Sequence, residues 1–534
     1  MKNYLSIDQG TTSSRAIIFN SNLELIKDSQ KEYDLTYPCD GWVELDPKDV
    51  IETVKQTALN VLDAHDKIEA CGITNQRETT IIWSKTTGEP IYPAIVWQDR
   101  RTYEICNRLK SEGKEEMVSK KTGLLIDPYF SATNIKWILD NVEGARDKAN
   151  DGDLLFGTID TYLIYKLSKE KNHVTDVTNA SRTLLFNIKT MEWDQELLEL
   201  FDIPQSIMPD VYDCDGDFGT LSLGKHEIPI TGVIGDQQAA LVGQNCFEEG
   251  DMKSTYGTGC FLMVNTQENP IYISEGLLTT VAYKLENKVH YAIEGSIYSC
   301  GNIVKWLRDE MKFFNDSKQS EKFINKNGDT NKVLFLPAFN GLGAPFWNSD
   351  IRGGFYGITQ DTTIEDMTSA SFQAITFQTK EITTILEKYD MKISKLLVDG
   401  GMTQNNTFCQ ILSDTLQKEI IKPANVESTA IGACKVAMIG SGNAIKEIPK
   451  PNQSSFLPNT NLAKTYEALA SKKETIRYHD FSYSLLKDGG VKTKIIKKYL
   501  PLINQQVNRY LQMMDFYINF TLDEEFNETV QSPI

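Results

Sequence analysis

The apolar positions of this chain fall into the short runs and one-sided stripes of a mixed α/β protein. Residues 4–19 and 252–264 each predict a β-hairpin, because two apolar strands flank a tight turn rich in Gly and Thr. Other apolar runs predict strands at residues 154–156, 229–234, 333–337 and 396–398. A repeat of 3.6 residues predicts helices at residues 50–62 and 407–416, and a further helix is expected at 302–312.

The spacing of these elements predicts three blocks in the 534-residue chain. The two hairpins lie about half the chain apart, which divides the first part into residues 1–245 and 246–460. Residues 449–461 contain three prolines among polar residues, a composition typical of a linker or a boundary. Residues 461–534 are therefore expected to form a separate third block.

The two hairpin turns are suited to binding phosphate. Glycine allows a close approach of the backbone, and backbone N–H groups and Thr hydroxyls can donate to phosphate oxygens. Two such turns predict a duplicated phosphate clamp on a cleft between two domains. The chain contains neither G-x-x-x-x-G-K-[ST] nor G-x-G-x-x-G, so a nucleotide fold other than the P-loop or Rossmann type is expected.

Three further segments carry candidate chemistry. Asp236 follows an apolar strand, where it could act as a base or simply cap a helix. Arg77 and Glu78 lie between apolar runs and could bind the hydroxyls of a small polyol or form a surface pair. Gly400 and Gly401 join a strand to a helix, in a turn that either lies against a nucleotide or is an ordinary βα turn.

Composition excludes several classes of partner. The net charge of −18 argues against a general nucleic-acid binder or a binder of anionic membranes. The nine cysteines include no C-x-x-C pair, so neither a disulfide framework nor a zinc site is indicated. No stretch of about 18 apolar residues could span a bilayer, and the N-terminus does not resemble a signal peptide. A cytoplasmic location is expected, and the oligomeric state stays open, a homo-oligomer included.

Taken together, these segments resemble the FGGY carbohydrate kinases of the actin/Hsp70-like ATPase superfamily, and within them the members that phosphorylate glycerol. The resemblance runs in order from the N-terminus to about residue 457. It is carried by DQGTTSSR (8–15), NQRETTIIW (75–83), VWQDRR (96–101), DPYFSAT (127–133), GDQQAAL (235–241), STYGTGCF (254–261), LPAFNGLGAPFW (336–347) and DGGMTQNN (399–406).

The resemblance implies an α/β fold of two ribonuclease H-like ATPase domains around a central cleft, with ATP and Mg²⁺ as cofactors and glycerol as substrate. It implies Asp236 as the general base. The residues that it assigns to glycerol are Arg77, Glu78, Trp97, Tyr129, Asp236, Gln237 and Phe261. It assigns to the nucleotide phosphates Thr11, Thr12, Ser13, Arg15 and Thr258. It assigns to adenine and ribose Gly301, Lys305, Gly401 and Asn405, and it assigns Asp8 to Mg²⁺.

The chain departs from the family pattern at the nucleotide side and at its end. Lys305 stands where these kinases usually present a Gln, and all seven tryptophans precede residue 350 although family members end in a Trp-containing helix. These departures leave open a nucleotide-binding interaction protein with impaired catalysis. A kinase for another polyol or sugar is the other alternative, although the set of Arg77, Glu78 and Tyr129 argues against it. A kinase acting on glycerol is the leading prediction.

The third block resembles a different protein class. Residues 478–530 resemble a segment of the ATPase lobe of phage SMC-type recombination endonuclease subunits. A helical stripe is predicted after Pro501 and a half-buried strand at 516–522, so an α+β segment foreign to the kinase is expected. We expect no activity from it, since the signature and Walker B segments of such a lobe are absent. A gene fusion or an assembly chimera explains it best.

Overall fold

The computed structural model describes residues 2–63, 67–324, 333–339, 341–348, 351–424, 427–449, 453–469, 491–514, 519–522 and 528–531. Apart from three residues outside these ranges, the chain divides after Thr460 into a large unit and a small unit. All nine cysteines are free, and eight of them are buried. Within the described ranges, no helix is both long and apolar enough to cross a bilayer.

The large unit is built on two main β-sheets. Its strands in the first half are β1 (Asn3–Gln9), β2 (Ser13–Asn20), β3 (Leu25–Glu32), β4 (Glu44–Leu45), β5 (Ile68–Asn75), β6 (Ile81–Ser84), β7 (Ala94–Ile95), β8 (Leu154–Gly157), β9 (Val174–Asp176), β10 (Phe186–Asn187), β11 (Glu192–Trp193), β12 (Asp210–Tyr212), β13 (Thr220–Leu223) and β14 (His226–Gly235). Those in the second half are β15 (Met252–Tyr256), β16 (Cys260–Gln267), β17 (Leu278–Leu285), β18 (Lys288–Ile297), β19 (Leu334–Leu336), β20 (Gly354–Tyr356), β21 (Lys395–Asp399), β22 (Glu419–Pro423) and β23 (Gln453–Phe456).

The two sheets repeat one topology. The strand orders are β13-β14-β5-β1-β2-β3 and β17-β18-β16-β15-β21-β22-β23. Each sheet centres on an antiparallel hairpin, β1–β2 or β15–β16, so both predicted hairpins are confirmed. The first strand of each hairpin pairs with a parallel strand, which pairs in turn with a second parallel strand. The second strand of each hairpin pairs with an antiparallel strand. The two hairpin turns therefore occupy equivalent positions in the two halves.

Helices cover the sheets and connect their strands. They are α1 (Pro47–Val61), α2 (Tyr103–Ser111), α3 (Glu115–Thr122), α4 (Ser131–Asn141), α5 (Ala145–Asn150), α6 (Ile159–Leu167), α7 (Val177–Ala180), α8 (Gln195–Phe201), α9 (Asp236–Gly243), α10 (Gly301–Asp309), α11 (Ile364–Lys388), α12 (Asn406–Leu416) and α13 (Ser428–Gly440). The start of α1 follows from its sequence, because Asp46 accepts a hydrogen bond from the Lys48 N–H and Pro47 fits the first turn. The helix predicted at 302–312 ends early, at Asp309, and Lys312 has a left-handed φ of 57°.

Helix α13 joins the two halves of the large unit. It lies in the second half of the sequence but packs against β5, β14 and α9 of the first half. A Cβ atom on Gly432 would lie 1.8 Å from the Ala239 carbonyl oxygen, and one on Gly72 would lie 2.1 Å from that of Ala433. Because no side chain fits at these positions, the two halves meet backbone to backbone along this helix.

The small unit contains α14 (Val491–Met513) and the antiparallel pair β24 (Asn519–Leu522) and β25 (Glu528–Gln531). The side chains of Asn504 and Asn508 bond to the main-chain N–H and C=O groups of β24, as a neighbouring strand would. The predicted helix is longer than expected, since Pro501 lies inside α14 and not before it. Of the predicted strand, residues 519–522 are observed, and 516–518 lie outside the described residues.

Candidate active site

Asp236 lies where the sequence places it, at the carboxyl end of β14 and the first residue of α9. The hydroxyl of Thr178 accepts a hydrogen bond of 2.8 Å from the Gly235 N–H and so fixes the preceding residue. The carboxylate contacts the guanidinium of Arg77 at 3.3 Å and retains 29% side-chain exposure. Burial raises the pKa of Asp236 and outweighs the opposing effects of Arg77 and Lys253. This is the environment of a carboxylate that can accept a proton.

Arg77 and Glu78 are buried in the site and do not form a surface pair. Arg77 is 2% exposed and Glu78 is 1% exposed. The guanidinium of Arg77 contacts Glu294 at 2.7 Å and donates to Gln238 at 3.2 Å and to the Tyr129 hydroxyl at 3.5 Å. Glu78 has a left-handed φ of 64°, a strained conformation for a residue with a side chain. Ion pairs with Arg77 and Arg182 keep Glu78 in this conformation.

Two residues that the sequence did not predict complete the network. Arg182 donates to Glu78 at 2.6 Å and to Glu294 at 2.9 Å, and both Arg182 and Glu294 are fully buried. Burial alone would raise the pKa of Glu294, but Arg182 and Arg77 lower it to about 2. Burial raises the pKa of Glu78 despite the same two arginines. Glu294 is thus held firmly ionised between Arg182 and Arg77.

Three aromatic rings form the apolar side of the site. Trp97 packs edge-on against Tyr129, with ring centres 5.5 Å apart, and against Phe261, with centres 6.2 Å apart. The indole N–H of Trp97 donates to the Thr11 hydroxyl at 3.0 Å. These contacts bring the three predicted aromatic residues together and connect them to the first hairpin turn.

Four of the five predicted phosphate-binding residues lie at the two hairpin turns, and the fifth, Arg15, lies in β2. Thr11, Thr12 and Ser13 form the β1–β2 turn, closed by a 2.8 Å bond from the Gly10 N–H to the Ser13 carbonyl, and Thr258 lies exposed in the β15–β16 turn. Arg15 differs from the others, because its guanidinium is paired with Asp28 and with Glu427, the residue before α13. Two carboxylates of the protein itself therefore already neutralise the positive charge of Arg15.

Of the four residues predicted to contact adenine and ribose, Gly301, Gly401 and Asn405 lie at helix starts in the second half, and Lys305 lies in the middle of α10. The Gly301 N–H donates to the Gly257 carbonyl at 2.9 Å, so α10 begins against the second hairpin turn. Lys305 is exposed on α10, and a Cβ on Gly401 would meet open space. The Asn405 side chain caps α12 by accepting from the Phe408 N–H. Lys305 and Gly401 are therefore exposed on this side, and Gly301 and Asn405 are half-buried.

Asp8 lies on the hairpin strand β1, near Asp236. Burial, together with the negative charges of Asp236 and Glu427, raises its pKa to about 7 against the opposing effect of Arg15. The described residues contain no group of three or more His, Cys, Asp or Glu side chains arranged to hold a metal. One carboxylate beside turns that are predicted to bind phosphate fits Mg²⁺, which typically takes one or two carboxylates together with phosphate oxygens and water.

Comparisons with known proteins agree with this geometry. Residues 3–243 match the N-terminal domain, and residues 252–441 the C-terminal domain, of the FGGY family of carbohydrate kinases. A glycerol kinase of Oceanobacillus iheyensis is 49% identical over 82% of this chain and 89% of its own length. One from Alteromonas mediterranea is 48% identical over 88% of this chain and 98% of its own length.

Solved structures show the same similarity. The Plasmodium falciparum glycerol kinase with ADP superposes with a TM-score of 0.83, at 34% identity, over 90% of this chain and 98% of that one. A gluconate kinase from Lactobacillus acidophilus has a TM-score of 0.81 at 22% identity, over 90% of this chain and 98% of that one, and shows the fold alone. The expected α/β fold of two ribonuclease H-like domains is confirmed. The comparisons lend no support to the phage resemblance of residues 478–530, which stays a prediction.

Proposed function

Because this chain belongs to the FGGY family of carbohydrate kinases, we propose that it transfers the γ-phosphate of ATP to glycerol and releases sn-glycerol 3-phosphate and ADP. The observation that carries the proposal is the buried group of Arg77, Glu78, Arg182 and Glu294 beside Asp236. In this proposal, residues 1–245 bind glycerol and phosphate and residues 246–460 bind the nucleotide.

The charged group suits a small polyol. Glycerol hydroxyls can donate to the carboxylates of Glu78 and Asp236 and accept from Arg77 and Gln237, while its carbon chain packs against Trp97 and Phe261. Fixed donors and acceptors in a buried site discriminate strongly, because a ligand that lacks a hydroxyl leaves a polar group unpaired.

Asp236 supplies the proton acceptor in this mechanism. As the hydroxyl oxygen bonds to the γ-phosphorus, the bond from that phosphorus to the ADP oxygen breaks and the hydroxyl proton passes to Asp236. A pKa raised by burial makes this carboxylate a stronger base than a solvated one. The aromatic rings exclude water, which would otherwise compete as the acceptor.

Positioning and charge neutralisation complete the reaction. Backbone N–H groups and hydroxyls of the two hairpin turns, including Thr11, Thr12, Ser13 and Thr258, hold the phosphates. Gly301, Gly401 and Asn405 line the adenine and ribose side, and Lys305 lies next to it. Asp8 would hold Mg²⁺, which neutralises phosphate charge when bound.

The test is ADP formation from ATP with glycerol, dihydroxyacetone, xylulose or gluconate as acceptor, with and without Mg²⁺. We expect the highest kcat/KM for glycerol and no turnover after chelation of Mg²⁺. A higher kcat/KM for xylulose or gluconate would contradict the assigned substrate. Nucleotide binding without turnover of any acceptor would indicate the impaired, nucleotide-binding alternative.

A further inference from the structure

Lys253 is a fully buried lysine in β15 that contacts residues assigned to the glycerol site. Its ammonium group donates to the side-chain oxygen Oε1 of Gln237 at 2.6 Å and to the hydroxyl of Thr255 at 3.1 Å. The carbonyl oxygen of Phe261 lies 3.5 Å away. These three acceptors match the three N–H donors of an ammonium group. Lys253 thus links Gln237 of the first half to Phe261 of the second.

The chemistry of the ammonium group determines which way the Gln237 amide points. A lysine ammonium only donates, so the amide atom that faces it must be the oxygen. The amide nitrogen Nε2 then lies on the other side, and among the described residues no protein group accepts from it. Gln237 therefore offers a ligand a donor, whereas Asp236 and Glu78 offer acceptors.

We propose that Lys253 is a positioning residue that holds the Gln237 amide with Nε2 toward a glycerol hydroxyl, an inference that rests on the proposed function. The hydroxyl bound there must accept from Gln237, which leaves its own proton for a carboxylate. The lysine thereby sets the hydrogen-bond direction of the site without contacting the substrate. Without it, the amide can rotate and present its oxygen, and the hydroxyl then has acceptors on every side.

A double-mutant cycle tests whether Lys253 acts through Gln237. We expect Lys253→Met to raise the KM for glycerol about 10-fold, while the KM for ATP changes less than about twofold. In the double variant with Gln237→Ala, the glycerol KM should equal that of Gln237→Ala alone, because the amide is already gone. Additive effects, or an unchanged glycerol KM in folded Lys253→Met, would overturn the inference.

Lys435 provides a matched control. It is also fully buried, and it donates to the Gly243 carbonyl at 2.7 Å, the Val242 carbonyl at 3.3 Å and the Asn245 side chain. None of these three acceptors is assigned to substrate. Lys435→Met should lower the melting temperature but leave the glycerol KM within about twofold of the parent value. An equal rise in KM would assign the Lys253 effect to general loss of a buried lysine and overturn the inference.

Gln237→Glu tests the amide orientation with Lys253 intact, and so applies even where Lys253→Met does not fold. The new carboxylate keeps an oxygen toward Lys253 and replaces Nε2 by a second oxygen. We expect the glycerol KM to rise at least as much as in Gln237→Ala; an unchanged KM would overturn the orientation. Failure of the parent chain to phosphorylate glycerol would contradict the proposed function itself. A parent chain that phosphorylates glycerol, together with an unchanged glycerol KM in Gln237→Ala, would overturn only the Lys253 inference.

Discussion

The glycerol side and the nucleotide side of the proposed site are built differently. On the glycerol side, Arg77, Arg182 and Glu294 are at most 2% exposed and each contacts at least two partners. On the nucleotide side, Thr258 and Gly401 are exposed, and turns and helix starts provide backbone N–H groups.

This difference follows from the two ligands. A small neutral polyol is recognised through the direction of a few hydrogen bonds, which requires side chains fixed in a buried network. Phosphate groups carry their own charge and are bound by backbone N–H groups and a metal ion, which requires close approach and little side-chain chemistry. We therefore expect substitutions on the glycerol side to have large effects that are specific to glycerol. On the nucleotide side we expect an effect only where a substitution moves the backbone that approaches the nucleotide.

The largest effect is expected at the centre of the glycerol side. Asp236→Asn keeps the shape of the side chain and removes the proton acceptor, so kcat should fall by about 100-fold or more, the usual scale for loss of a general base. Glycerol should still bind, as measured by isothermal titration in the presence of ADP. A variant with near-normal kcat would refute the assignment of Asp236 as base.

Glu294 should contribute mainly to stability. Glu294→Gln leaves Arg77 and Arg182 without their shared carboxylate, at a cost of about 3 kcal/mol in the free energy of unfolding. The folded pKa of about 2 lies below the ordinary 4.5, so the contribution is complete above pH 4.5 and is lost as the pH falls toward 2. The difference between parent and variant in urea unfolding should therefore shrink below pH 4.5.

The surface pair of Glu89 and Lys48 is the control for Glu294, since Glu89 is 51% exposed. Glu89→Gln should cause no comparable loss, because water screens the pair. Equal losses in the two variants would mean that burial of the network does not matter.

Arg77 should affect glycerol more than ATP. Arg77→Ala removes donors to the substrate but leaves Glu78 paired with Arg182, so a loss of about 1 to 3 kcal/mol in glycerol binding is expected. The measurement is the KM for glycerol against the KM for ATP. A change confined to ATP would place Arg77 outside the glycerol pocket.

Gly301 tests the nucleotide side, where a substitution should affect ATP more than glycerol. A Cβ here would lie 2.5 Å from the Gly257 carbonyl oxygen, so Gly301→Ala must push the start of α10 away from the second hairpin turn. We expect the KM for ATP to rise about fivefold, the lower end of the cost of overpacking, with the glycerol KM unchanged. Gly401→Ala, where a Cβ meets open space, should have little effect on folding.

The two sides also differ in how far the sequence predicts them. Both hairpin turns were predictable, because Gly and Thr between apolar strands are local signals. The role of Arg77 and Glu78 needed the family resemblance, since an adjacent Arg–Glu pair is equally typical of a surface. Their partners Arg182 and Glu294 come from distant segments, and pairing across 104 to 217 residues leaves no local pattern.

A signal for one of these partners, Glu294, nevertheless existed. Glu294 interrupts an otherwise apolar strand. A charged residue at such a position is almost never buried unless it is paired. The charge predicts that a partner exists but not which residue it is, because the identity depends on how the two sheets meet.

The smallest effect is expected for the C-terminal unit. Every residue assigned to glycerol, nucleotide or Mg²⁺ lies at or before Asn405, and the chain divides into its two units after Thr460. A chain ending near residue 473 should therefore keep the full kcat and both KM values per active site, measured on protein shown to be folded by circular dichroism. The full chain should show no ATP hydrolysis that rises with added DNA. Loss of turnover in the folded, shortened chain, or DNA-stimulated hydrolysis by the full chain, would show that the C-terminal unit takes part in catalysis.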